Sequence, residues 1–304
     1  MPTLSLSAPP EFSFTECLRY LGRSAHESLH IVAGNRVKKI VCCQASPVML
    51  TVSQPSLGAI QVDYQADQYD KSLAARLRAY VTDWFDLATD LRPFYDLAQR
   101  DALLAIAVER HYGLRMIGIP DLFEALCWAI IGQQINLTFA YTLKQRMVHA
   151  FGDAYSIEGL PYYQFPRPET IAHCLPEQLT ALQFSARKAA YVIGIARSIM
   201  EGRLSKEALR HLPEEDARTT LMQYKGVGAW TANYVLLKCL KKPDAFPAQD
   251  VGLHNALKQL AGLSQKPALN AVHQYAEAWR GWRGYATFYL WQTLLPKVDT
   301  DAPH

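Results

Sequence analysis

LMQYKGVGAWTANYV at residues 221–235, followed by FPAQD at 246–250, is the stretch that decides the fold. Ahead of it, Pro213 and the acids Glu214, Glu215 and Asp216 predict a helix start. A proline suits the first helical turn and carboxylates suit the positive end of the helix dipole. The helix is expected from Pro213 to Gln223. Lys225-Gly226-Val227-Gly228 breaks it, because glycine enters left-handed and other sterically closed backbone regions cheaply. Ala229 to Leu240 then resumes with apolar residues at helical spacing. The pattern reads as helix, tight hairpin, helix. Such a hairpin turns the first amides of its second helix outward, and the glycines let another backbone approach, so a phosphate is a fitting guest. Taken alone, Gly-x-Gly reads more readily as a bend between packed helices.

Leu221 to Ala232 resembles the helix-hairpin-helix element of the DNA base-excision glycosylases. Pro247-Ala248-Gln249-Asp250 resembles the proline-then-aspartate loop that follows it in that superfamily, with the aspartate at the expected distance beyond Trp230. Within the superfamily the sequence is most similar to the bacterial 3-methyladenine DNA glycosylase II type, which removes alkylated purines. The strongest resemblance runs from about Gly118 to Leu295, and the first hundred or so residues agree in outline.

Composition is permissive. The chain has 304 residues, half of them hydrophobic, which is room for two or three domains and a substantial core. A net charge of +3 and a pI near 8.4 are compatible with a DNA-binding face without demanding one. There is no long apolar run and no signal-peptide pattern at the N-terminus, so a cytoplasmic protein without membrane contact is expected. The six cysteines, Cys17, Cys42, Cys43, Cys127, Cys174 and Cys239, are scattered and read as buried thiols, with no metal site formed from side chains. Some glycosylases that this chain resembles carry a four-cysteine iron–sulfur loop near the C-terminus. No cysteine follows Cys239, so that cluster is excluded. The only cofactor the resemblance leaves open is a monovalent cation on the hairpin carbonyls.

The expected fold is an α+β N-terminal domain over residues 1–93, followed by an all-α helix-hairpin-helix region over 94–304, whose two helical subdomains flank a cleft. In the first part, His30 to Val32, Val37 to Cys43, Val48 to Val52 and Ala59 to Val62 are β-favouring runs. Gly34-Asn35, Ser46-Pro47 and Ser56-Leu57-Gly58 separate them, which predicts a small antiparallel sheet. Asp70 to Leu87 carries Leu73, Leu77, Tyr80, Val81 and Trp84 on one helical face that can cover it. No site residue is expected in this domain. Beyond Phe94 no strand pattern appears, and Asp153 to Pro168, rich in tyrosine, glycine and proline, reads as irregular.

Asp121 to Gly152 contains two helical patterns broken at Gly132-Gln133-Gln134-Ile135-Asn136, the second ending at Gly152 as a helix C-terminus. The break resembles the loop that pushes a side chain into the duplex where an extruded nucleotide stood, with Gln133, Gln134 or Ile135 as the wedge. A plain inter-helix turn is the alternative. Ser185 opens a further helix, whose Arg187 and Lys188 read as a solvated scaffold face. Most aromatics of the segment from Trp279 to Trp291 belong in the core.

The resemblance assigns roles to the rest. Asp250 precedes the apolar-periodic segment Val251 to Leu260 and reads first as its cap, and the resemblance adds catalysis. Breaking the bond between a purine and deoxyribose passes through an oxocarbenium-like state that one carboxylate can stabilise. An alkylated purine already carries positive charge and leaves readily, so anion, water and extruded geometry suffice. Trp230 stands where bifunctional relatives place a Schiff-base lysine, so hydrolysis alone is expected. Trp230, Tyr234 and Trp291 are the implied base pocket, in which aromatic faces hold a cationic base by up to ~2 kcal/mol. Lys225, Gly226, Val227 and Gly228 are the implied phosphate contact. The expectation is a monomeric, monofunctional glycosylase for alkylated purines acting on duplex DNA. The alternatives are a non-enzymatic binder of DNA structures and a glycosylase of the same scaffold for deaminated or oxidised bases.

Overall fold

The computed structural model describes residues 2–43, 46–65 and 71–295. An antiparallel sheet with strand order β1-β5-β4-β3-β2 forms the first layer, from β1 (Thr3–Ser7), β2 (Ile31–Ala33), β3 (Arg36–Cys43), β4 (Ser46–Ser56) and β5 (Ala59–Gln65). Gly34-Asn35 links β2 to β3, with Gly34 at a φ of 56°, and Leu57-Gly58 links β4 to β5, with Gly58 at 78°. Both turns need the left-handed backbone that glycine provides. Ser46-Pro47 begins β4 instead of separating strands, and the break between β3 and β4 falls outside the described residues. β1 is an addition to the expected sheet. Its Leu4 and Leu6 alternate inward, and its ladder partner β5 lies far along the chain, out of reach of local pattern reading.

Helix α2 (Lys71–Phe85) packs on the sheet at β1 and β3, and helix α1 (Phe14–Leu21) buries its apolar face in the same core. The α2 face is the expected one, with Leu73, Leu77, Val81 and Trp84 buried, while the Asp70 start lies outside the described residues. The helical region follows as α3 (Arg92–Ala98), α4 (Ala102–Arg110), α5 (Leu122–Gly132) and α6 (Leu137–Phe151). It is not all-α. Residues 153–168, expected to be irregular, contain the hairpin β6 (Ala154–Ile157) and β7 (Leu160–Tyr163), turned by Glu158 and Gly159 at φ 54° and 77°. The hairpin docks on the sheet, where Tyr162 joins Ile40 and Met49 in a small apolar cluster apart from the main core. A two-stranded ribbon is marginal alone, so this docking is what makes it regular.

The chain continues through α7 (Pro168–Ala172), α8 (Pro176–Thr180), α9 (Ala186–Met200), α10 (Lys206–Arg210), α11 (Glu214–Met222), α12 (Ala229–Lys238), α13 (Val251–Leu260), α14 (Leu269–Glu277) and α15 (Arg283–Gln292). One apolar core runs from Leu4 and Val62 in the sheet to Phe288 and Leu290 in α15. Trp279, Tyr285, Phe288 and Tyr289 are buried in it, as expected of an aromatic stripe at helical spacing. Polar bonds cross it as well. Lys238 Nζ donates to the Tyr20 hydroxyl (3.0 Å), Arg19 Nη2 to Gln292 Oε1 (3.2 Å) and Tyr285 Oη to Asp86 Oδ2 (2.5 Å). The first two fix α1 against α12 and α15, and the third ties the residue after α2 to α15. Among the cysteines, Cys42 is exposed, contrary to the expectation of buried thiols, because its position on β3 faces outward. Among the described residues no helix is long and apolar enough to cross a membrane.

Candidate active site

The predicted helix, hairpin and second helix appear as α11, residues 223–228 and α12, with Pro213 as the N-cap of α11. The two hairpin glycines are there for different reasons. Gly226 has a φ of 88°, and a Cβ on it would fall 2.4 Å from the Tyr191 ring, so both backbone and packing demand glycine. Gly228 is extended (φ −89°, ψ −180°), a conformation open to any residue, so of the two glycines only Gly226 supplies the left-handed backbone of the break. A Cβ there would meet nothing within 4 Å. Gly228 is also the N-cap of α12 and supplies no side-chain acceptor, which leaves first-turn amides without a capping partner. Lys225 is exposed beside it.

The α5–α6 loop is tied to this hairpin. Lys188 Nζ donates to the carbonyls of Ile131 (2.7 Å) and Gln133 (2.8 Å), closing the C-terminus of α5. Burial lowers the Lys188 pKa. The lysine is thus scaffold, but turned inward onto two carbonyls instead of lying on a solvated face. Gln133 Nε2 in turn donates to the Gly226 carbonyl (2.8 Å) and Thr231 Oγ1 (2.9 Å), so its amide braces the hairpin and is occupied there, away from a wedge position. Gln134 is exposed with a left-handed φ of 58°, and Ile135 is half-buried against the core. Of the three wedge candidates, Gln134 is the one presented to solvent. Asn136 caps α6 through Phe139 N–H (2.8 Å). Gly152 ends α6 without a left-handed backbone (φ −83°), and it must be glycine because a Cβ would sit 2.2 Å from the Gln164 carbonyl oxygen.

Asp250 caps α13 and does more. Its Oδ1 accepts from Leu253 N–H (2.8 Å) and Trp291 Nε1–H (2.7 Å), and its Oδ2 accepts from Trp230 Nε1–H (2.8 Å). All three bonds use the carboxylate purely as an acceptor, the role its ionised form fills. The three pocket candidates come together around it. Trp230 stacks on Tyr234 with ring centroids 5.5 Å apart and planes 28° apart, and Tyr234 lies 6.2 Å from Trp291. Because both indole N–H groups are held by Asp250, the planes of the two tryptophans are set by the carboxylate. Gly252 makes room, since a Cβ there would lie 2.9 Å from Asp250 Oδ1 and 3.1 Å from Trp291 Cδ1. Its signal was present in the sequence as a glycine in the first turn of a helix, which costs stability unless something needs the space.

Hairpin, loop, aromatics and Asp250 line one cleft of about 1370 Å³. Its inner end comes from residues that sequence reading missed. Trp128 of α5 donates its indole N–H to the Tyr234 hydroxyl (2.8 Å), and burial raises the Tyr234 pKa well above the ordinary tyrosine value, so the phenol stays protonated. Tyr20 of α1 and Arg23 just beyond it also line the cleft. The N-terminal domain, expected to carry no site residue, therefore supplies one wall. Nothing local in the sequence marks Tyr20 or Arg23, because only the packing of α1 on α12 and α15 brings them there. Among the described residues no group of three or more histidines, cysteines, aspartates or glutamates is placed to hold a metal ion.

Residues 127–281 match the family model described as HhH-GPD superfamily base excision DNA repair protein, and residues 11–126 match that of the 8-oxoguanine DNA glycosylase N-terminal domain. The chain is 40% identical to a protein of Bacillus subtilis named DNA-3-methyladenine glycosylase, over 95% of this chain and 96% of that protein. Its fold is similar to that of the 3-methyladenine DNA-glycosylase from Archaeoglobus fulgidus, with a TM-score of 0.83 at 24% identity, covering 95% of this chain and 97% of the other. A solved complex of a 3-methyladenine DNA glycosylase from Schizosaccharomyces pombe with abasic DNA aligns over 68% of this chain and 97% of the other, with a TM-score of 0.54 and 27% identity.

Proposed function

From the premise that the chain belongs to the HhH-GPD superfamily of base excision DNA repair proteins, we propose that it is a monofunctional DNA glycosylase that extrudes alkylated purines from duplex DNA and removes them by hydrolysis. The observation that carries this reading is the Asp250 carboxylate, held by two indole N–H groups and one helix amide at the wall of an aromatic cleft. A cap needs only the amide bond. The two tryptophans add a fixed anion beside ring faces, which is what a departing cationic base and an oxocarbenium-like sugar require. The base leaves with the bonding electrons of the N-glycosidic bond, and water adds to the sugar carbon and releases a proton to solvent, giving an abasic site and a free, neutral purine.

The groups lining the cleft support hydrolysis without strand cleavage. Position 230 holds an indole committed to Asp250. Lys225, the lysine among the described lining residues, is exposed on the hairpin, where it suits a phosphate. The uncapped α12 amides and the open side of Gly228 support the hairpin as the phosphate contact, and the exposed Gln134 supports that residue as the wedge. A monomer acting without an iron–sulfur cluster completes the reading, with a monovalent cation on the hairpin carbonyls as its remaining cofactor option. The test is release of free base from methylated duplex with strand integrity followed in parallel. The expected products are free 3-methyladenine and 7-methylguanine and an intact abasic strand. A borohydride-trapped covalent complex would overturn the hydrolytic assignment, and a folded protein that binds DNA but releases no base would favour the non-enzymatic binder.

A further inference from the structure

Asp250 and the tryptophans account for one end of the cleft, while the inner end carries a guanidinium for which base hydrolysis has no task. Side-chain contacts run inward from Asp250 through Trp230 and Tyr234 to Trp128, whose ring lies 4.7 Å from that of Tyr141. Arg23 sits there. Its Cζ is 3.7 Å from the centroid of the Tyr20 ring and 5.5 Å from that of Tyr141. Its Nη1–H donates to the Tyr20 carbonyl (2.6 Å), and the Tyr141 hydroxyl is a second polar neighbour. A guanidinium has five N–H donors, so these two acceptors leave donors to spare, and the half-buried side chain lines the cleft. Glu27, the carboxylate that adds to the field on Arg23, is itself paired with Lys144 Nζ at 3.0 Å.

In a purine the C6 substituent lies on the edge opposite the N9 glycosidic bond. With that bond at Asp250, the C6 edge points toward the inner end of the cleft. We propose that Arg23 reads this edge, donating to the O6 acceptor of a 6-oxopurine and opposing the 6-amino group of an adenine-type base. A guanidinium facing a carbonyl oxygen makes a charge-assisted bond, whereas facing an amino group it sets donor against donor. The inference rests on the glycosylase reading and adds a specificity residue contributed by the N-terminal domain.

The test compares 7-methylguanine with 7-methyladenine. Both carry the alkyl group and the positive charge at the same position, so repulsion from Arg23 is common to the pair and the C6 edge is the group that faces it. Single-turnover release of each, divided by its uncatalysed release rate, is measured for wild-type protein, Arg23→Met and Arg23→Lys. In Arg23→Met the normalised ratio of 7-methylguanine to 7-methyladenine is expected to fall about 10- to 100-fold, the effect of losing one hydrogen bond to a charged donor. Arg23→Lys, which keeps a charge and a donor, is expected to restore part of it. Equal loss on both bases would mean that Arg23 only closes the C-terminus of α1, and the proposal would be wrong. Should Arg23→Met fail to fold, the wild-type protein still decides, because a normalised ratio at or below one would overturn the preference. Release of neither base by wild-type protein would instead sink the glycosylase reading, an outcome distinct from an unselective enzyme.

Discussion

Asp250→Asn separates charge from scaffold. The asparagine Oδ1 can keep the bonds from Leu253 N–H and Trp291 Nε1–H, but its amide nitrogen then replaces Oδ2 and points a donor at Trp230 Nε1–H, 2.8 Å away in the native protein. A simple capping residue would tolerate asparagine with little change. Here the lost bond and the donor-to-donor contact are expected to cost about 1–3 kcal/mol of stability, toward the lower end because Trp230 is only half-buried. The catalytic effect is expected to be larger. At an effective dielectric near 20, a carboxylate about 4 Å from an oxocarbenium-like carbon contributes about 4 kcal/mol. Its removal therefore slows excision by roughly a thousandfold. The assay is single-turnover release of 7-methylguanine at fixed salt, with DNA affinity measured alongside so that weaker binding cannot pass for lost chemistry. Affinity should stay level or rise, since a negative charge near the phosphates has gone. Adding Trp230→Phe removes the opposing donor, so the double variant should recover stability without recovering excision. Near-native excision by Asp250→Asn would refute the charge argument. Recovery of excision in the double variant would refute it too, because the loss would then have come from a distorted pocket.

The hairpin glycines should part company on substitution. Gly226→Ala meets both a left-handed backbone and the Tyr191 ring and should lower stability by about 1–3 kcal/mol, whereas Gly228→Ala should stay within about 1 kcal/mol of wild type and weaken binding to damaged and undamaged duplex alike. Thermal melts with DNA titrations over a range of salt check this, and normal DNA affinity in a folded Gly228→Ala protein would reduce the hairpin to a structural turn. His30 should give a pH signature. Burial, reinforced by Lys39 and Lys144 against Glu27 and the Leu21 carbonyl, lowers its pKa from 6.5 to about 4. The folded protein then keeps the ring neutral while the unfolded chain binds a proton between those values. Stability is fully present above 6.5 and lost as pH falls toward 4, by about 3 kcal/mol in total. Comparing denaturation at pH 7 and pH 5 for wild type and His30→Gln tests this, and an unchanged pH dependence in the variant would clear His30.

The elements that sequence alone determined are those whose causes lie within a few residues. Helix starts at Pro213, Ser185 and Asp250, the break at Gly226, the β2–β3 turn at Gly34-Asn35 and the covering face of α2 each follow from backbone sterics, capping or periodicity. Asp250, Trp230, Tyr234 and Trp291 were legible as a set because the superfamily resemblance places them together, and the cleft contains all four. Tertiary structure decided the rest, through partners distant in sequence. β1 needs β5, and the β6–β7 hairpin needs the sheet beneath it. Gln133 became a brace because its amide found the Gly226 carbonyl across the fold, and of the two hairpin glycines only Gly226 is held by a distant side chain, the Tyr191 ring, while Gly228 stays open. Arg23 and Tyr20 reach the cleft only because α1 is bonded to α12 and α15. Local sequence sets backbone conformation through short-range sterics and hydrogen bonding, but which side chain faces a ligand depends on long-range packing that no window of neighbouring residues contains.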